Sequence, residues 1–229
     1  MFTFPTRTVA LLGATAATAL AATGCGSSDD TASTSTTTPA TNATASAAEV
    51  DKAFVSQMIP HHQMAVQMAS YAPSNGQRTE IKELGNGIAV SQNGEIKQMQ
   101  TIAKRLGATP AAMPSGDSGG MDHSMHGGSS MAAAAKTLGI PMDDMGMSMD
   151  MGSLEKARPF DRAFIDMMIP HHQGAILMAR AELAKGQNAE LKKIATAIVA
   201  AQTKEIKQMN SWRKQWYGTE SPAGGVPTT

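Results

Sequence analysis

The hexapeptide Met-Ile-Pro-His-His-Gln occurs twice, at 58–63 and at 168–173, and holds four of the six histidines of the chain. Neutral imidazole is the commonest side-chain ligand for transition metals, and its charge changes near neutral pH. In each copy a methionine stands three and four residues before the histidine pair, Met58 before His61 and His62, and Met168 before His171 and His172. Another follows, Met68 and Met178. Residues three or four apart share a helix face, so an imidazole and a thioether at this spacing can meet one ion. Adjacent histidines lie about 100° apart around a helix, so both reach one point only if the backbone turns between them. Pro60 and Pro170 sit just ahead of each pair. Proline within a helix removes a hydrogen bond and costs about 3 kcal/mol. It would free the carbonyls of Ser56 and Asp166, and the helix is expected to kink or restart there. Gln63 and Gln173 are placed to satisfy backbone groups so exposed.

A second set of donors lies between the two copies. "MDHSMHGG" at 121–128 brings Met121, His123, Met125 and His126, and "MDDMGMSMDMG" at 142–152 brings Met142, Met145, Met147, Met149 and Met151. Methionines in a polar, glycine-rich stretch have no evident core to fill. Thioether sulfur is a soft, uncharged ligand suited to Cu(I) and, to a lesser degree, Ag(I), while imidazole accommodates Cu(II). Two plainer explanations compete: a linker that drifted in composition, and sacrificial methionines that are oxidised to sulfoxides.

These donors need a frame. Residues 51–100 align with 161–210 without a gap, 23 of 50 positions being identical. The chain is thus an internal duplication, and each copy reads as two helices. In the first, Ser46 and Glu49 form a capping box, and Phe54, Met58, His61, Ala65 and Met68 recur at helical spacing. "PSNG" at 73–76 breaks that helix. A second is expected over Thr79–Leu106, stopped by Gly107. In the other copy Pro159 and Asp161 suit a first turn, and the second helix is expected over about Asn188–Tyr217, with Trp212 and Trp216 one turn apart. Glu95 and Met99, and Glu205 and Met209, fall where the stripe of the second helix passes the first. The carboxylates could ligate an ion or hold a histidine tautomer from behind; the methionines are equally well explained as core filler. Two antiparallel hairpins, each with one apolar face, bury those faces best against each other. The expected fold is therefore all-α, a four-helix bundle made of two duplicated helical hairpins, 46–107 and 159–217, joined by a long Met/His/Gly-rich loop at 108–158. The last residues, 218–229, are expected to form a disordered tail.

The N-terminal segment 1–25 has the layout of an export signal: Arg7, then an apolar run, then "ATGC". Small residues ahead of Cys25 mark it as the lipidated residue of a lipoprotein signal, so the chain is expected outside the cytoplasm and anchored to the bacterial cell membrane. Residues 26–45, rich in Ser, Thr and Ala, read as a flexible tether. Cys25 is the single cysteine, so no thiolate or disulfide is left for the domain, and soft-metal chemistry falls to methionine. The chain has 19 basic and 19 acidic residues. With no basic cluster, nucleic acid is not an expected partner.

The pattern D-x-x-F-x-x-x-M-I-P-H-H is carried by Asp51, Phe54, Met58, Ile59, Pro60, His61 and His62, and again by Asp161, Phe164, Met168, Ile169, Pro170, His171 and His172. Over about 49–217 the chain resembles the bacterial domain-of-unknown-function 305 family. The resemblance implies a secreted or lipid-anchored ferritin-like bundle, and some relatives are linked to copper binding and copper resistance. The Glu-x-x-His element of di-iron bundles does not occur in this chain, which disfavours oxidase chemistry of that kind. The leading expectation is a non-enzymatic copper-binding lipoprotein that sequesters Cu(I) or Cu(II) or passes it to a metal-exchange partner. The alternatives are a structural or interaction module of the cell envelope and a small metal-dependent oxidoreductase.

Overall fold

The computed structural model describes residues 45–112 and 125–228, the side chains of 125–129 excepted. Residues 1–44, with Cys25 and the tether, lie outside this description, as do Met121 and His123. All the described residues fall in one compact unit, Ala43–Thr229.

Four long helices build that unit. Helix α1 (Ala47–Ser70) is followed by a single turn, α2 (Ala72–Asn75), and by α3 (Thr79–Leu106). The second hairpin is α6 (Phe160–Lys185) and α7 (Ala189–Tyr217). Their ends follow local chemistry. The Ser46 hydroxyl accepts from the Glu49 N–H while the Glu49 carboxylate accepts from the Ser46 N–H, closing the capping box at the start of α1. Gly107 ends α3 at φ +62°, the left-handed cap that glycine adopts without a Cβ penalty. The Asn188 side chain caps α7 by accepting from the N–H groups of Glu190 and Leu191.

Each hairpin also completes the other. Asp51, buried near the start of α1, accepts from the N–H groups of Gln187 and Asn188, where α7 begins. Asp161, at the start of α6, accepts from the N–H groups of Gln77 and Arg78, where α3 begins, and from the Arg78 guanidinium at 3.2 Å. The aspartate of one repeat thus satisfies orphan amides in the loop of its partner repeat.

α1 packs along α3 and α6 along α7, and α1 against α6 is the main contact between the hairpins. The core divides into two apolar clusters. One joins the N-terminal part of α1, the C-terminal part of α3, the C-terminal part of α6 and the N-terminal part of α7; the other joins the opposite ends. The histidine pairs lie at the boundary. Both α1 and α6 remain helical through Pro60 and Pro170 instead of restarting. The carbonyl of Ser56 that Pro60 sets free accepts from the N–H of Ala111 at 2.9 Å, which recovers part of the cost.

Three expectations from the sequence need correction. The first is that the connection is not loop throughout. It contains α4 (Met125–Leu138), a 3₁₀ turn at Met142–Met145 and α5 (Met151–Lys156). "MAAAAKTL" at 131–138 has high helix propensity, and Ala134, Ala135 and Leu138 are buried. The second is that its methionines are not uniformly surplus. Met145 and Met147 are buried in the first core cluster, Met149 and Met151 are half-buried against both, and among the described side chains Met142 is exposed at 44%. The third is that the tail is not loose. Gln173 donates to the carbonyls of Ala223 and Gly225, Arg180 to that of Pro227 and Asn210 to that of Gly224, while Val226 packs on the second cluster. Polar side chains of α6 and α7, together with Val226, hold it down.

Candidate metal centre

The two His-His elements meet at the middle of the bundle. His61 and His171, one from each repeat, lie with ring centroids 3.7 Å apart and planes tilted by 37°. His62 and His172 turn away from this pair, each 6.4 Å from its neighbour. The 100° step of the helix separates them, so the central pair forms across the repeats and not within one. All four rings are fully buried.

Their hydrogen bonds fix the tautomers. The Nε2 of His61 lies 3.1 Å from the carbonyl oxygen of Met145; a carbonyl only accepts, so Nε2 carries the proton. His62 donates Nε2–H to Glu95 at 2.8 Å, and His172 to Glu205 at 2.7 Å. In all three rings the other nitrogen, Nδ1, is buried with no hydrogen-bond partner, and in His171 both nitrogens are so placed. The Oε1 atoms of Gln92 and Gln202, equivalent residues of α3 and α7, are likewise buried and unpaired. Burial, reinforced by the neighbouring imidazoles, holds His61 and His171 well below the ordinary imidazole pKa. Both are therefore neutral, with lone pairs free to ligate.

The methionines expected beside the histidines are buried, but they divide. Met58, Met99 and Met178 belong to the first cluster, and Met68, Met168 and Met209 to the second. Met58 and Met68 therefore flank the imidazole layer in different clusters. Among the described residues no three or more His, Cys, Asp or Glu side chains converge to hold a metal. With Glu95 and Glu205 engaged by His62 and His172, the unpartnered donors of this layer include neutral imidazole nitrogens, and buried methionines lie in both clusters; nitrogen and thioether sulfur suit a soft ion.

Residues 51–213 match the protein family described as domain of unknown function DUF305. The chain belongs to the DUF305 family. The match begins at Asp51, which caps the opposite hairpin, and ends at Arg213, buried and paired with Asp166 at 3.1 Å. CopM in its Cu(I)-bound form is 32% identical, with a TM-score of 0.57, over 73% of this chain and 98% of its own. CopM is also known in Cu(II)-bound, Ag-bound and apo forms. A DUF305 protein from Streptomyces coelicolor shares the fold, with a TM-score of 0.60 at 21% identity over 77% of this chain and 98% of its own. An uncharacterized protein, L153, of Acanthamoeba polyphaga mimivirus is 38% identical over 52 residues, which is 23% of this chain and 34% of that protein. The chain thus matches about a third of that curated relative's length.

Set against the DUF305 pattern, the residues that sequence reasoning missed are informative. Asp51 and Asp161 reach across the repeats, and no spacing within one repeat reveals that. The backbone carbonyl of Met145 has no side-chain signature. A signal did exist for the seat of the connection on α6: the repeats diverge at Met64 against Gly174. A Cβ on Gly174 would stand 2.1 Å from the Met145 carbonyl oxygen, so glycine is what lets this backbone reach the histidines.

Proposed function

We propose that this chain is an extracytoplasmic copper-binding lipoprotein that sequesters Cu(I) or Cu(II), or hands it on, by chelation alone. One observation carries the reading: three of four buried imidazoles donate Nε2–H to a carbonyl or carboxylate while Nδ1 is left unpartnered. Metal-bound histidines are held from behind in this way. Buried nitrogens without partners are costly unless something occupies them. The similarity to CopM, over nearly all of that protein's length, supports copper and silver as the cargo.

In this reading His61, His62, His171 and His172 anchor sites on the bundle. Buried methionines, Met58, Met99 and Met178 in one cluster and Met68, Met168 and Met209 in the other, supply thioether sulfur to them. Glu95 and Glu205 set the imidazole tautomers. The connection collects ions at lower affinity through Met121, His123, Met125, His126, Met142, Met149 and Met151, with Met145 and Met147 already committed to the core. Cys25 carries the lipid that keeps the protein at the membrane. That anchor is proposed from the sequence; among the described residues no helix is long and apolar enough to cross a bilayer.

The test is an anaerobic Cu(I) titration of the purified chain against a competing chelator. Tight binding of more than one ion is expected, with the tightest site lost in a His61→Ala, His171→Ala double variant. A double variant that binds as many ions as tightly as the parent would refute the central site.

A further inference from the structure

A groove of about 410 Å³ runs between α3 and α7, which make few contacts with each other. Ile102 and Ile194 line it, Lys193 stands beside them, and the exposed Arg105–Glu190 ion pair spans it at 2.7 Å. Glu95 belongs to both the groove and the imidazole layer. It lines the groove with 19% of its side chain exposed, and its carboxylate holds the fully buried His62. From His62 it is 6.4 Å to the ring of His61, which lies against His171. Polar groups therefore run in a row from solvent to the centre of the bundle.

The duplication supplies an internal comparison. Glu205 holds His172 at 2.7 Å with the same 19% exposure, so exposure alone does not separate the two carboxylates. Their surroundings do. Where the groove has Ile102, the other repeat has Trp212, and Leu106 is matched by Trp216. The two indoles stack at 5.4 Å and 9°, both pack against the second core cluster, and the Arg78 guanidinium lies 4.3 Å over Trp216. Arg105 and Glu190, which span the groove, correspond to Gln215 and Glu80.

The geometry points to the α3–α7 groove as the port through which a soft cation reaches the central imidazoles, with Glu95 as the docking carboxylate and His62 as the relay. The Glu205–His172 pair, on the repeat where Trp212 and Trp216 replace Ile102 and Leu106, holds the layer in place. Glu190 is neutralised by Arg105, so the partly buried Glu95 carboxylate, although Lys193 also lines the groove, is the oxygen ligand that an arriving cation meets, and at lowered dielectric it attracts a cation more strongly than in water. Once inside, the ion passes from the Glu95 oxygens to the unpartnered Nδ1 of His62, whose Nε2–H stays on Glu95, and then to the unpartnered nitrogens of His61 and His171. This inference rests on the copper reading above and adds the direction of entry.

Rapid mixing of the full chain with Ag(I), and anaerobically with Cu(I), followed by a chelator quench, reads the loading rate apart from the final occupancy. Glu95→Gln, which keeps an oxygen for the His62 Nε2–H but removes the charge, and the groove-filling Ile102→Trp are expected to load at least about tenfold more slowly, and Ile102→Trp should reach the parental final occupancy. Glu205→Gln should slow loading far less than Glu95→Gln. Should Ile102→Trp fail to fold, Trp212→Ile replaces it, and the second opening it creates should accelerate loading. The port is overturned if Glu205→Gln slows loading as much as Glu95→Gln, or if Glu95→Gln keeps the parental rate. Lost occupancy in a folded Ile102→Trp also overturns it, since filling the groove should delay the ion and not displace it. A parent chain that takes up neither ion overturns the copper reading and the port together; parental binding with equal rates in all variants overturns the port alone.

Discussion

His61 and His171 are maintained at a cost in the free protein, because three of their four ring nitrogens are buried without a partner. Replacing a buried, unsatisfied polar group with an apolar one of similar shape is neutral or stabilising. His171→Leu is therefore expected to stabilise the apo protein by about 1 kcal/mol and to reduce the rise in Tm on adding copper. The pH dependence has a definite sign. The folded pKa values of both histidines are lowered, so the unfolded chain takes up these protons first, and stability falls as pH drops below about 6.5. Thermal melts between pH 7.5 and 5 should show this loss in the parent and less of it in His171→Leu. Glu182 works in the opposite sense. Burial first, and Asp51 beside it second, push its pKa from 4.5 up to about 8. The folded state then holds a proton that the unfolded state has released, so this contribution to stability is full below about pH 4.5 and is lost as pH rises through about 8. Glu182→Gln should remove that decline; a melt series from pH 5 to 9 as steep as the parent's would show that Glu182 is not its source.

At the level of elements, the connection acts as a seated part of the centre. Gly146, at φ +67°, and Gly174 allow the backbone of the 3₁₀ turn to lie directly on α6, where the Met145 carbonyl meets His61. Gly174→Met, which restores the residue of the other repeat, would drive a side chain into that carbonyl. We expect it to lift the turn and to cost about 1–3 kcal/mol, the range for overpacking, with hydrogen exchange accelerated at 142–147 and little changed in α3 and α7. The long helices and their caps were legible in the sequence because the signals are local: Ser46 with Glu49, the stop at Gly107, the repeat of apolar residues along 79–106. The connection was misread for a physical reason. Its polar, glycine-rich composition argues for loop, yet Met145 and Met147 are buried by a surface on α6 that only the folded molecule presents. Half of the site was legible in the same way. Spacing separated His61 from His62 and placed Glu95 near the layer. The contact between His61 and His171 depends on the packing of one hairpin on the other, which no single helix encodes.

Across the whole molecule, an approximate twofold relation between the hairpins coexists with deliberate departures from it. The tail is one of them. It meets Gln173, Arg180, Asn210 and Arg213, all on the second hairpin, and Arg213 is buried with its guanidinium shared between Asp166 and Thr219. Removing residues 219–229 would leave that cation half-satisfied. For a domain of this size each kcal/mol lost is about 2–4 °C in Tm, so the truncated chain should melt several degrees lower. An unchanged melting curve would mean that the tail merely rests on the surface.

The exchanged aspartates have a wider consequence. Asp51 finishes the start of α7 and Asp161 the start of α3, so a lone hairpin would expose an unpaired aspartate at one end and bare amides at the other. Two identical hairpins, however, would satisfy each other completely and would bring their first histidines face to face on the symmetry axis. Half of this chain thus carries the complementarity that a homodimer subunit would need. Covalent fusion releases such a pair from strict symmetry, because each half can then accept changes that the other could not tolerate. A glycine at 174 opposite a methionine at 64, and an indole at 212 opposite an isoleucine at 102, are differences that only a fused pair can hold.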